Sequence, residues 1–282
     1  MLIQYLNRSI TPNYNALFAV ALGINISFCA YADETEKTLE SVTVEASRNS
    51  QFGIVDAASA GIIDNNSGAT FNPATDQFSG PWGQAFAIKA GTTAPFFFVT
   101  NVNYGTIKRQ KFVPGQFSKE VVTTIGKLPV GTNAFDPTGP QGMGYDSAND
   151  ILFVSSTANN SIVAYPNATT VSAIENPVVA LKGDPLKAPV GLAINPIKGS
   201  LLAVNQLDNN LVEIAMNTSP LVSGVPTFKP AVLSVRTLDN TPVDPVKGTG
   251  SALFGIATTQ DAKGNLPVYF TNSNTSSLNV LK

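Results

Sequence analysis

The sequence contains no histidine, which removes the side chain that enzymes most often use for proton transfer near neutral pH. The same observation excludes Ser-His-Asp triads, Cys-His pairs and histidine-based zinc sites. Cys29 is the only cysteine, so a disulfide framework is excluded as well. Charged residues are 13% of the chain and the net charge is -2, which gives no basic footprint for nucleic acid. A catalytic role is therefore the less favoured one, with no catalytic residue, metal or cofactor predicted.

The residues that are abundant favour β-structure. The chain of 282 residues is 43% hydrophobic and carries 22 glycines and 19 prolines. Short apolar segments alternate with clusters of Asn, Ser, Thr, Gly and Pro, which are typical of strands separated by turns. Helical periodicity is not sustained anywhere beyond Ala32. We therefore predict an all-β core with short turns, including Asx-type turns at Asn159-Asn160 and Asn209-Asn210.

One pattern recurs along the chain in four units with uneven spacing. Each unit begins at a glycine, and these repeat glycines are Gly83, Gly142, Gly191 and Gly255. A second strand follows in each unit, at Phe96 to Asn101, Ile151 to Ser156, Leu201 to Gln206 and Val268 to Ser273. A third strand follows at Thr106 to Phe112, Ser161 to Tyr165, Leu211 to Ile214 and Leu278 to Leu281. Repeats of about 40 to 50 residues with about four short strands each indicate the blades of a β-propeller.

The repeats also resemble two known kinds of propeller repeat. FVTN at Phe98 to Asn101 and YFTN at Tyr269 to Asn272 resemble the YVTN-type repeat, and the GPWG, GPQG and APVG segments resemble NHL-type repeats. The resemblance covers residues 80 to 282 and implies a β-propeller with about four recognisable four-stranded blades. We place this domain at residues 65 to 282, and predict that a strand between Asn65 and Phe78 completes the last blade. The alternative is a truncated propeller whose edges stay open.

Residues 1 to 32 have the pattern of a secretory signal peptide. Arg8 precedes an apolar run from Ala16 to Ala30, and the cleavage-type site Ala30-Tyr31-Ala32, with alanine at its first and third positions, ends just before Asp33. The run is shorter than the roughly 20 residues of a membrane-spanning helix and is interrupted by Asn25. We predict cleavage near Ala32 and a periplasmic or secreted protein with no transmembrane segment in the mature chain.

Residues 33 to 64 differ in composition from the repeats. The stretch LESVTVEAS at Leu39 to Ser47 resembles the TonB box of TonB-dependent outer-membrane receptors, and Asp56 to Ile62 resembles the start of their plug. The resemblance implies a flexible segment that pairs as a strand with a TonB-like periplasmic partner through Val42, Thr43 and Val44. Two other interpretations remain open: a remnant of gene fusion and a flexible tail with one incidental strand.

The candidate ligand-binding residues occupy equivalent places in the repeats. They precede a repeat glycine or end a second strand, and they are Trp82, Asn101, Gln141, Ser156, Asn205 and Asn272. Their side chains are amides, a hydroxyl and an aromatic ring, which suit hydrogen bonding and shape recognition but not proton transfer. The sequence therefore predicts a non-enzymatic binding or scaffold module for an unknown protein or small-molecule ligand.

A metal-dependent hydrolase is the alternative. Without histidine, a cation site built from carboxylate or carbonyl oxygens is still possible, and gluconolactonase-like propellers hold a divalent cation with acidic and Asn side chains around the central channel. No carboxylate stands at the equivalent positions here, so the sequence predicts no metal site. Asp146, Asn149 and Asp150 form a superficially cation-like loop that we interpret as a solvated turn. Lys108, Arg109 and Lys111 form the densest basic cluster, and we interpret it as a solvated strand edge.

Overall fold

The computed structural model describes residues 55–56, 61–62, 81–111, 122–131, 139–172, 174–222, 225–261 and 263–281. Nearly all regular structure in these ranges is β-strand, and the one helical turn they contain is a 3-10 turn at Thr157–Asn159. Two short strands, β1 (Val55–Asp56) and β2 (Gly61–Ile62), pair with each other at the start. Among the described residues, no helix is long and apolar enough to cross a membrane.

Four antiparallel sheets follow in chain order, and they are the blades of a four-blade β-propeller. Blade 1 contains β3 (Pro81–Ile88), β4 (Pro95–Asn101), β5 (Thr106–Lys111) and β6 (Val122–Lys127). Blade 2 contains β7 (Pro140–Asp146), β8 (Ile151–Ser156), β9 (Ser161–Pro166) and β10 (Val178–Lys182). In both blades each strand pairs with the next one along the chain.

Blades 3 and 4 depart from this plan. Blade 3 contains β11 (Pro189–Ile194), β12 (Leu201–Asn205), β13 (Asn210–Ala215) and β16 (Ala231–Thr237). A separate hairpin, β14 (Ser219–Val222) and β15 (Val225–Thr227), is inserted before β16. Blade 4 has three strands among the described residues, β17 (Leu253–Thr258), β18 (Val268–Asn272) and β19 (Ser277–Leu281).

The blades pack face to face through three hydrophobic clusters. Phe98 of blade 1 packs with Leu152 and Val154 of blade 2. The opposite face of blade 2 packs on blade 3, and Phe153 of blade 2 and Leu201 of blade 3 are buried there. Val204 of blade 3 lies in the cluster that blade 3 shares with blade 4. One blade has two apolar faces and cannot bury both alone, so stacking neighbouring blades supplies the core.

The predicted propeller is confirmed, and the second and third strands of all four blades lie within about one residue of their predicted bounds. Asn160 and Asn209 have left-handed φ angles of 47° and 55°, as turn residues do. The predicted Asx-type bonds are wrong, because the side-chain oxygens of Asn160 and Asn209 accept from the backbone N–H groups of Ala188 and Ala252. The strand predicted between Asn65 and Phe78 falls outside the described residues. The sequence did not indicate the β14–β15 hairpin.

Candidate functional site

The repeat glycines lie where the inner strands of neighbouring blades meet. A Cβ atom on Gly83 would lie 1.7 Å from the carbonyl oxygen of Gln141 in blade 2. The same atom on Gly142 would lie 2.6 Å from the carbonyl oxygen of Val190, and on Gly191 it would lie 2.6 Å from that of Phe254. Each of these three glycines therefore packs against the residue that precedes the next repeat glycine. Close approach of two backbones explains why glycine recurs at this place.

A hydroxyl group fixes the backbone at three of the repeat glycines. The Gly83 N–H donates to Thr100 Oγ1 at 2.7 Å, and Thr100 Oγ1 donates to the Gln141 carbonyl oxygen at 2.9 Å. Equivalent bonds run from the Gly142 N–H to Ser155 Oγ and from the Gly255 N–H to Thr271 Oγ1. These hydroxyls sit one residue before the end of the second strand, where the register of the inner strand shifts in every blade. They satisfy an amide at a β-bulge.

The four candidate residues that end a second strand lie at the same end of the propeller, because each lies beside the start of its inner strand. They are buried: Asn101, Ser156, Asn205 and Asn272. Asn205 Nδ2 donates to the Pro185 carbonyl oxygen, and Asn272 Nδ2 donates to Asp239 Oδ2. These amides thus hold the chain segment that arrives from the preceding blade.

Two of these buried residues keep unused hydrogen-bonding capacity. Within the described part of the chain, Ser156 Oγ and Asn205 Oδ1 have no hydrogen-bond partner. They occupy equivalent positions in the neighbouring blades 2 and 3. Buried polar atoms in native proteins are nearly always hydrogen bonded, so these two atoms have capacity for a hydrogen bond to water or to a ligand.

The residues before the repeat glycines lie at this same end of the inner strands. Gln141 and Val190 are buried, whereas Trp82 and Phe254 are half-buried. The Trp82 and Phe254 rings meet edge to face, with centroids 6.4 Å apart, and they connect the first and last blades. An aromatic pair therefore lies at the end of the propeller where the inner strands begin, which we call the channel end. Phe98 is also aromatic, but unlike the half-buried Trp82 and Phe254 it is fully buried between blades 1 and 2 and belongs to the core.

Asp239 is a contact residue that the sequence did not indicate. It lies just after β16, and the fold brings it to Asn272 of blade 4. Hydrogen bonds from Thr241, and then from Asn272, lower the pKa of Asp239 to about 2. Its carboxylate is therefore ionised at neutral pH and is a very weak base.

Asp150 is not in a solvated turn, which corrects the interpretation of the Asp146 to Asp150 loop. Its side chain is buried and accepts hydrogen bonds from Tyr145 Oη and Thr169 Oγ1. Lys89 of blade 1 places its Nζ atom 3.2 Å from Asp150 Oδ2. Burial and the bond to Asp150 raise the pKa of Tyr145. Asp150 thus joins blades 1 and 2, while Asp146 caps an exposed turn.

The basic cluster is divided between two faces of blade 1, as the alternation of a strand predicts. The interpretation of Arg109 as part of a solvated strand edge is wrong. Its guanidinium donates to the Ala168 carbonyl oxygen and lies over the Phe96 ring. Lys108 donates to Thr124 Oγ1 on the other face, and burial lowers its pKa.

No group of three or more Asp, Glu, His or Cys side chains able to hold a metal occurs in the described ranges. The docking segment Val42 to Val44 and the predicted signal peptide lie outside these ranges.

Comparison with known proteins gives no family. No family matches the sequence, and no curated protein matches it. A luciferin-regenerating enzyme matches in structure with a TM-score of 0.38 and 12% identity, over 69% of this chain and 56% of that chain. A putative glucose dehydrogenase-type oxidoreductase from Thermus thermophilus matches with a TM-score of 0.37 and 16% identity, over 76% of this chain and 68% of that chain. The chain spans just over half the length of the first protein.

These structural likenesses are too distant to support an activity. The resemblances to NHL-type and YVTN-type repeats and to TonB-dependent receptors have no family match, and they stay predictions. What is established is the architecture: an all-β chain whose described residues form a four-blade β-propeller.

Proposed function

We propose that this protein is a non-enzymatic binding module that recognises an uncharged, hydrogen-bonding ligand at the channel end where the inner strands begin. The observation that carries the proposal is the chemistry of that end. It combines the Trp82 and Phe254 rings with the unused polar atoms of Ser156 and Asn205. None of these four side chains is ionised at neutral pH, so they suit stacking and hydrogen bonding but not proton transfer.

A thermal-shift screen of uncharged metabolites and saccharides tests this proposal. A ligand of this site stabilises the wild-type protein, and the Trp82→Leu variant loses that stabilisation because it lacks the aromatic ring. Val246→Ala is the matched control, since Val246 is an exposed apolar residue in the loop before blade 4. A ligand whose shift is unchanged in Trp82→Leu, or changed equally in both variants, would place the binding site elsewhere.

A metal-dependent hydrolase remains the second candidate, and one observation supports it. Asp239 adds a carboxylate beside the amide of Asn272, and calcium prefers carboxylate and amide oxygens. Thermal shifts with Ca²⁺, Zn²⁺ and Mn²⁺, followed by a lactone hydrolysis assay, separate the two candidates. The hydrolase would be favoured over the binding module if the protein hydrolyses a lactone only with metal and loses this activity in Asp239→Asn, Asn205→Ala or Asn101→Ala.

We further propose that the chain is exported and that its mature form begins after Ala32. The support is the apolar run from Ala16 to Ala30 and the small-residue cleavage site just before Asp33. Cell fractionation with mass spectrometry of the N-terminus tests this. Recovery of the intact Met1 form from the cytoplasm would refute export.

For the segment Leu39 to Ser47 we propose strand pairing with a TonB-like partner. The alternation of Val42 and Val44 with Thr43 and Glu45 supports one apolar side for such a strand. In an NMR titration with a TonB C-terminal domain, resonances of these residues shift in the wild type but not in Val44→Pro, which lacks a ladder donor. Unmoved wild-type resonances would leave the segment without a docking role.

A further inference from the structure

Asn205 offers the channel end a hydrogen-bond acceptor. Its Nδ2 atom donates to the Pro185 carbonyl oxygen at 2.8 Å, and this bond fixes the orientation of the amide group. Asn272 is oriented in the same way by its bond to Asp239 Oδ2, but its own oxygen is used, because it accepts from the Thr275 N–H. Asn205 Oδ1 has no such partner in the part of the chain that the structure describes. A ligand group that meets this oxygen must therefore donate a hydrogen bond.

Ser156 supplies the second unused oxygen, at the adjoining strand end of the neighbouring blade. Thr157, the next residue, donates from Oγ1 to the Pro189 carbonyl oxygen at 2.8 Å. Pro189 is the strand partner of Asn205, so this bond brings the strand ends of blades 2 and 3 together. Ser156 and Asn205 are both 0% exposed. A group that reaches their two oxygens is therefore small, about the size of a buried water molecule.

A hydroxyl group suits these two oxygens better than a charged group does. It is one oxygen in size, and it donates to Asn205 Oδ1 while it accepts from Ser156 Oγ. An ionised carboxylate has no proton to donate to Asn205, and the ionised carboxylate of Asp239 at the same end repels it. An ammonium group donates to both oxygens, but burying its charge without a paired anion costs far more than burying a hydroxyl. The chemistry of the two oxygens thus selects an uncharged hydroxyl.

The Trp82 ring adds an apolar contact at the same end. Gly83, the next residue, packs against the carbonyl oxygen of Gln141, and the neighbouring Pro140 is the strand partner of Ser156. Trp82 is half-buried, so part of its ring is open to a ligand. An indole ring packs well against C–H groups. A ligand that uses the whole site therefore carries both hydroxyl groups and C–H surface.

We propose that the ligand of the channel end is a saccharide, which inserts one hydroxyl group between Ser156 Oγ and Asn205 Oδ1 and packs its C–H surface on Trp82. This inference rests on the binding function proposed above and adds the chemical class of the ligand. A neutral saccharide combines hydroxyl groups with an apolar C–H face in one uncharged molecule, so it matches both the oxygen pair and the ring.

Isothermal titration calorimetry with D-glucose, D-galactose, maltose, cellobiose and trehalose tests the ligand class. We expect at least one of these sugars to bind the wild-type protein and not to bind Trp82→Leu. If none binds, but an uncharged compound without hydroxyl groups binds the wild type and not Trp82→Leu, the saccharide proposal fails while the binding function stands. If no compound of either kind shows binding that depends on Trp82, both fail.

Two neighbouring serines give a matched pair of variants for the inserted hydroxyl. Ser156→Ala removes an oxygen that has no partner among the described residues, so the melting temperature of the ligand-free protein should not fall. Its dissociation constant for the sugar should rise about tenfold or more. Ser155→Ala should lower the melting temperature, because Ser155 Oγ accepts from the buried Gly142 N–H at 2.8 Å. Val246→Ala, at an exposed position, should change neither quantity. An equal fall in melting temperature for both serine variants, or an unchanged dissociation constant for Ser156→Ala, would overturn the proposal.

Monodeoxy derivatives of the sugar that binds identify the hydroxyl that is inserted. One derivative should bind the wild-type protein about tenfold or more weakly than the parent sugar. The same derivative should lose much less affinity in Ser156→Ala, because the protein group that its missing hydroxyl would meet is absent there. Equal losses in the wild type and in Ser156→Ala for every derivative would overturn the insertion of a hydroxyl at Ser156.

Discussion

Replacing Thr100 by valine is the sharpest test of how the blades are joined. Thr100 is fully buried, and its hydroxyl accepts from the Gly83 N–H in blade 1 and donates to the Gln141 carbonyl in blade 2. Valine has nearly the same shape but no hydroxyl, so both backbone groups lose this partner. At about 1 to 3 kcal/mol for each of the two groups left unsatisfied, we expect a loss of about 2 to 6 kcal/mol in the free energy of unfolding.

Chemical denaturation measures this loss, and two comparisons make it specific. Thr100→Ser keeps both hydrogen bonds and loses one methyl group, which costs about 0.8 kcal/mol. Blade 3 has Val204 at the equivalent position, so the blade fold accepts valine there. If Thr100→Val and Thr100→Ser lose the same stability, the hydroxyl does not join the blades and the reasoning fails.

Three further predictions concern the contacts between blades and the site. In a denaturant titration, Gly142→Ala should destabilise the protein far more than Gly144→Ala. The new Cβ of Gly142→Ala lies 2.5 Å from the Leu192 backbone, whereas that of Gly144→Ala lies 3.4 Å from a flexible Ile194 side chain. Equal losses of stability would contradict the close approach of the two backbones. Asp150→Asn should cost about 1 to 3 kcal/mol by weakening the contacts to Lys89 and Thr169, whereas exposed Asp146→Asn should cost less, and the reverse order would refute the inter-blade role. Hydrogen bonds lower the pKa of Asp239 from 3.8 to about 2, so the carboxylate stabilises the fold above about pH 4 and this stabilisation is lost as the pH falls toward 2. The stability of Asp239→Asn, measured by unfolding at a series of pH values, should lack that part of the acid dependence. The same acid dependence in both proteins would refute the role of the Asp239 carboxylate.

The sequence predicted those parts of the fold that local chemistry determines. Strands β8 and β12 read as apolar runs bounded by turn residues, and their bounds agree with the structure within one residue. The repeat glycines were found because only glycine allows the backbone of the next blade to approach so closely. The outermost strands were harder, because β16 is exposed on both faces and has no alternation of buried and exposed residues to detect.

The candidate site was predicted in position but not in contacts. Asn205 and Asn272 end their second strands at one end of the propeller. That they bind a ligand stays a prediction. The sequence did not indicate that their amides bind the segment from the preceding blade, because those partners, Pro185 and Asp239, lie 20 and 33 residues earlier in the chain. Partners at such separations depend on how the connections fold, and no periodic pattern encodes them.

The most direct test of the proposed function is to follow a ligand identified by the thermal-shift screen by ¹H NMR, in the presence of the protein with and without Ca²⁺. Saturation transfer should show that the ligand binds, and its spectrum should be unchanged after a day in both conditions, because the channel end has no group suited to proton transfer. Conversion of the ligand to a product in the presence of Ca²⁺, absent with Asp239→Asn, would contradict a non-enzymatic binding module.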